Sequence, residues 1–106
     1  MPIVSSLQYF NSFSVSLVPE QAGVYCLQDA TGVIYFGKSD ARTGVRGRLQ
    51  AHLSGSEGPC TASATLFGYE LCSDPASRES ALLVEYRLLH RRLPRCNDVM
   101  PRPSRW

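Results

Sequence analysis

Hydrophobic and polar positions fall into a legible pattern from Gly23 onward. Val24-Tyr25-Cys26-Leu27 and Val33-Ile34-Tyr35-Phe36 are short runs of β-branched and aromatic residues on either side of Asp29-Ala30-Thr31-Gly32, which predicts a β-hairpin. A three-residue loop, with Gly32 as a left-handed bulge residue, sets Leu27 opposite Tyr35 and Tyr25 opposite Gly37. The two phenols then project from one face of the sheet, whereas a four-residue loop would send them to opposite faces. Val45, Leu49 and Leu53 recur every fourth residue and predict a helix with one buried stripe, on which Arg48 and His52 also share a face. Residues 54–64, bearing Ser and Gly, read as a loop, and Leu66–Cys72 as a third strand. The longest helix is predicted from about Ser77 to Leu93, with Asp74 or Ser77 as N-cap, Glu79 in the first turn and Pro94 as the stop. Residues 1–21 mix Tyr9, Phe10 and Phe13 with Ser and Asn and end at Pro19-Glu20, so residues 1–18 are expected to be a docking segment without settled structure.

Within that last helix, Leu82 and Leu89 flank Glu85 on one side, and Ala81 and Leu88 on the other. A carboxylate is thus centred on an apolar stripe. Burying it unpaired would be costly, so it needs a cation, a hydrogen-bond donor or open water in a cleft. An arginine partner and a functional cleft both meet that need.

A chain of 106 residues holds one domain. Hydrophobic content of 43% with 19% charged residues excludes wholesale disorder. No apolar run approaches the roughly 18 residues that would span a bilayer, and the start does not read as a signal peptide; the expected location is cytoplasmic. The net charge of +2 is unevenly spread, with residues 38–52 and 87–106 basic and residues 53–86 acidic. Lys38 is the lone lysine among 11 basic residues. The planar fork of arginine matches phosphate oxygens in pairs, which makes Arg42, Arg46, Arg91, Arg92 and Arg95 candidate nucleic-acid contacts. Cys26, Cys60, Cys72 and Cys96 contain no close pair. A zinc site from Cys60, Cys72, His90 and Cys96 can be drawn, but the spacing favours reduced, mostly buried thiols.

Taken in order, Gly23-Val24-Tyr25, Ile34-Tyr35-Phe36-Gly37-Lys38-Ser39, Arg48 with His52, Glu85 within Ala-Leu-Leu-Val-Glu, and Pro94-Arg95-Cys96-Asn97 resemble the GIY-YIG nuclease family. The resemblance covers residues 19–98 and leaves 99–106 as a basic tail. It departs from the family at Val24 and Phe36, each in place of isoleucine, and in a longer loop between Gly37 and Arg48, which makes Arg46 a competitor for Arg48. Helical spacing to His52 favours Arg48.

The resemblance implies an α+β fold with a small three-stranded antiparallel sheet flanked by helices. It also implies a single site for DNA phosphodiester hydrolysis with one Mg²⁺ or Mn²⁺ ion. By motif position, Glu85 would hold the metal, Arg48 the scissile phosphate, and Tyr25 would act as or position the base. Lys38 is the expected cation beside the phenol; Tyr35 and His52 would hydrogen-bond the phosphate or water, and Asn97 would brace the site or contact the phosphate. The implied partner is DNA, single- or double-stranded. Specificity would come from the core, from the tail Pro101–Trp106, or from a homodimer. Two alternatives share the fold: a non-catalytic nucleic-acid-binding module, and a nuclease toxin or effector.

Overall fold

The computed structural model describes residues 6–97; the expected basic tail 99–106 and the first five residues of the expected docking segment lie outside them. In chain order the elements are β1 (Gln8–Tyr9), α1 (Ser12–Ser16), β2 (Gly23–Asp29), β3 (Gly32–Ser39), α2 (Gly44–Ser54), α3 (Pro59–Ala62), β4 (Leu66–Leu71) and α4 (Pro75–His90). The class is α+β. The sheet has four strands rather than three, ordered β1-β4-β2-β3, and every neighbouring pair is antiparallel.

The added strand comes from the segment expected to be unsettled. Gln8 pairs with Phe67 and Tyr9 with Leu66. Asn11 then caps α1 by accepting from the Ser14 amide, and Phe10, Val15 and Val18 enter the core. A strand of two residues carries no alternation long enough to be read. Residues 54–64 also hold more order than expected, since Pro59 starts the single turn of α3.

The hairpin register is the predicted one where it matters: Leu27 faces Tyr35, and Tyr25 faces Gly37. Nearer the turn the pairing shifts between Leu27 and Gln28, so that Asp29 faces Gly32 across Ala30-Thr31. The loop itself is therefore two residues long, and the extra residue sits in β3. Gly32 has φ of 111°, a conformation open to glycine and costly to other residues.

The sheet is covered on both faces, which explains the unbroken apolar run in β2. Tyr25, Leu27, Ile34 and Phe67 pack with α1 and α2 residues Val15, Val45 and Leu49. Val24, Cys26 and Phe36 pack on the other side against Leu82, Leu83 and Tyr86 of α4. That helix begins earlier than predicted because Asp74 accepts from the Ser77 amide and Pro75 fills the first position, where a missing N–H costs nothing. It ends at Arg91, whose φ is 61°.

The thiol expectation requires correction. Cys60 and Cys96 are joined as a disulfide, with Cα atoms 5.8 Å apart; Cys26 and Cys72 are free. Both residues of the bond come from irregular or short segments whose spacing in sequence carries no signal for pairing.

Candidate active site

Edge strand β3 is where the two helical layers approach each other, and a cleft of about 520 Å³ opens there. Tyr35 and Lys38 of β3, His52 of α2, Thr61 of α3, Glu79 of α4 and Asn97 contribute to its walls. The register of the hairpin accounts for the phenols: Tyr25 and Tyr35 have ring centroids 6.2 Å apart. His52 completes the aromatic group, 5.5 Å from Tyr25 and 5.0 Å from Tyr35.

A line of polar atoms runs beneath the cleft. The Tyr25 hydroxyl lies 2.8 Å from His52 Nε2, and His52 Nδ1 lies 2.7 Å from Thr61 Oγ1. Tyr25, His52 and Thr61 are all buried. Burial pushes the Tyr25 pKa well above the ordinary phenol range, with Tyr35 adding to the rise and Arg48 opposing it. Burial also pushes His52 down to about 4, aided by the Arg48 charge and opposed by Glu57. The imidazole is neutral at pH 7.

Arg48 therefore takes the place expected of Lys38: it is the cation whose charge acts on Tyr25. Its Nη1 is 3.4 Å from Glu57 Oε2. Its Nε is buried without an acceptor among the described residues, an arrangement that a bound anion could relieve. Arg46, the competing arginine, faces away, donating from Nε to the Val18 carbonyl at 2.7 Å and pairing with Glu20 at 3.2 Å.

Two carboxylates line the cleft, Glu57, which pairs with Arg48, and Glu79, which is buried and was not a candidate from sequence. Only 6% of Glu79 is exposed. Burial raises its pKa, while Lys38 opposes the rise; Lys38 Nζ lies 3.3 Å from Oε1. Its charge also reaches both phenols, raising the pKa of each. Glu85 does not line the cleft. It is half-buried on the flank of α4, and its charge acts on Arg78, which grips Glu70 through two bonds of 2.8 and 3.1 Å. An arginine near Glu85 is one of the two partners the sequence left open for it.

Asn97 is a brace. Its side-chain Oδ1 accepts from Phe36 N at 2.9 Å, and its Nδ2 donates to Phe36 O at 3.0 Å, while Cys96 N donates to Ile34 O at 2.8 Å. Of the other arginines, Arg95 reaches the cleft but pairs with Asp29 at 2.6 Å. Arg92 stacks over the Tyr86 ring at 5.9 Å, Arg91 caps α4, and Arg42 is exposed.

Among the described residues, no group of three or more His, Cys, Asp and Glu is placed to hold a metal. With Glu57 engaged by Arg48, a divalent ion in this cleft would rest on Glu79, with water and substrate oxygens completing its shell. That fits a hard cation such as Mg²⁺, which takes one or two carboxylates and keeps several waters. The zinc arrangement from Cys60, Cys72, His90 and Cys96 is not assembled, because two of its cysteines are bonded to each other. No family model, curated protein or solved structure matches the chain.

Proposed function

We propose that this chain is a divalent-metal-dependent endonuclease that hydrolyses DNA phosphodiester bonds at one site, in the manner of the GIY-YIG family it resembles. The observation that carries the reading is convergence: Tyr35, His52 and the buried Glu79 line one cleft, Tyr25 lies behind it against His52, and Arg48 lines the adjoining pocket that shares Lys38. In this reading Glu79, rather than Glu85, is the acid that holds the ion. When bound, the ion would polarise the scissile phosphate and stabilise developing charge.

The remaining chemistry belongs to the side chains. Arg48, beside both phenols, receives the phosphate and stabilises its transition-state charge. Tyr35, half-buried and lining the cleft, reaches the attacking water. Tyr25 is fully buried, so its part is to pass a proton rather than to touch water. The proton moves from water to the Tyr35 oxygen, from Tyr35 to Tyr25, and from Tyr25 to His52 Nε2. Phosphate at Arg48 offsets the guanidinium charge that lowers the proton affinity of His52, so substrate binding itself improves the base.

The test is incubation of supercoiled plasmid and labelled single-stranded oligonucleotide with Mg²⁺, with Mn²⁺ and with chelator. Cleavage in metal that disappears with chelator and in Glu79→Gln supports the reading. Binding without cleavage in either metal points to a non-catalytic nucleic-acid-binding module.

The Cys60–Cys96 disulfide favours one further reading, that the nuclease acts as a secreted or injected effector, because such bonds persist in oxidising compartments. Growth arrest on expression that is relieved by Glu79→Gln would support this purpose for the same chemistry.

A further inference from the structure

We propose that Thr61 is a positioning residue whose hydroxyl accepts the Nδ1–H of His52, fixing the imidazole in the tautomer that turns the Nε2 lone pair towards Tyr25. Its catalytic meaning rests on the endonuclease reading; the tautomer does not.

Both ring nitrogens of His52 are engaged, at 2.8 Å by Tyr25 and at 2.7 Å by Thr61. A neutral imidazole carries one N–H, so two arrangements satisfy the geometry. In one, Nδ1–H donates to Thr61 and Nε2 accepts from Tyr25. In the other, Thr61 donates to Nδ1 and Nε2–H donates to the Tyr25 oxygen. Arg48 and Thr61 decide between them together. The positive charge of Arg48 acts on the Tyr25 hydroxyl, which polarises the phenol O–H and makes it the strongest neutral donor of the group. The strongest acceptor available is the bare imidazole nitrogen, so the phenol donates to Nε2. Nδ1 then holds the proton, and it can do so in this buried position because Thr61 supplies the acceptor; without one the N–H would be buried unsatisfied. Only this arrangement lets Nε2 take a proton from Tyr25.

Thr61 is held where this role needs it. It follows Cys60 directly, and the disulfide ties Cys60 to Cys96. Cys96 is itself docked on β3 through the Ile34 carbonyl, with Asn97 on Phe36 beside it. The acceptor of His52 is thereby fixed to the strand that carries Tyr35, independently of the helix that carries His52. The third member of many catalytic arrangements orients a histidine in this way, holding tautomer and angle without touching substrate.

Long-range ¹H–¹⁵N correlation of the histidine rings at pH 7 reads the tautomer, with His90→Gln assigning the signals of the second histidine. The wild type is expected to show the Nδ1–H pattern, and Thr61→Ser to keep it. Thr61→Val, which removes the hydroxyl at near-constant volume, is expected to lose it. In the cleavage assay Thr61→Val is expected to lower kcat by roughly ten- to a hundred-fold at unchanged KM, with Thr61→Ser restoring it. An Nε2–H pattern in the wild type overturns the proposal, as does a Thr61→Val ring with the wild-type pattern. Should Thr61→Val fail to fold, the wild-type and Thr61→Ser spectra still decide. The expected spectra in a protein that cuts nothing would sustain the tautomer and remove the endonuclease reading.

Discussion

Gly37 lies directly against the phenol of Tyr25: a Cβ built at position 37 would fall on the ring's Cζ and hydroxyl oxygen. The cross-strand pairing of these two residues therefore has a steric condition, which is that one partner has no side chain. Gly37→Ala is expected to destabilise the fold by about 1–3 kcal/mol, the usual cost of overpacking, and to push the Tyr25 hydroxyl away from His52. Urea unfolding checks the first effect. The second should appear as a fall in the plasmid assay larger than the loss of folded protein explains.

The two glutamates of α4 separate by substitution. Glu79→Gln is expected to abolish cleavage and weaken Mn²⁺ binding, measured by water-proton relaxation, whereas Glu85→Gln should leave both near wild type. The salt-bridge partner of Glu79, Lys38, is 44% exposed in its side chain, so losing the pair should cost no more than about 1 kcal/mol. The reverse outcome, with Glu85→Gln inactive and Glu79→Gln active, would return the metal to the position the family motif implies.

That exchange shows which parts of the molecule the sequence carries. Register and caps are local, and Gly32, Asp74 and Pro75 specify them within a few residues. The face of a helix that turns inward is not local. Ala81, Leu88 and Leu89 drew the apolar stripe onto Glu85, yet Leu88 and Leu89 are 77% and 74% exposed. The buried row is Glu79, Leu82, Leu83 and Tyr86, spaced as one helical face should be. Apolar residues at the surface are common enough that averaging over them rotated the axis of the stripe. Tyr25, Tyr35, Arg48 and His52 were found because their spacing fixes a shared face; Thr61 was missed because nothing in its neighbourhood marks an acceptor for His52.

Acid should weaken the fold through His52. Its ring is held at about 4, below the ordinary value of about 6.5, so between those values the unfolded chain binds a proton that the folded chain refuses. Stability is fully present above about pH 6.5 and falls as pH drops towards about 4, by roughly 3 kcal/mol in all. Glu79 has the opposite sign, because its raised pKa lets the folded state keep a proton the unfolded state releases. Urea midpoints of Glu79→Gln between pH 7 and 4.5 isolate the His52 contribution; a flat profile there would contradict it.

Reduction should loosen the chain substantially. The Cys60–Cys96 bond closes a loop over a sequence separation of 36, which in the chain-entropy account is worth about 4 kcal/mol. A fall of that order in the unfolding free energy on adding reductant, reproduced by the Cys60→Ser and Cys96→Ser double variant, is expected. An unchanged midpoint would mean that the ring constrains the unfolded ensemble far less than its length suggests.

Asn97 offers Phe36 the same acceptor and donor that a neighbouring strand would. The side-chain amide thus ends the sheet at β3 by occupying the very groups through which another chain could add itself. Growth of the sheet by a second molecule is thereby opposed along this stretch of β3, at the rim of the cleft.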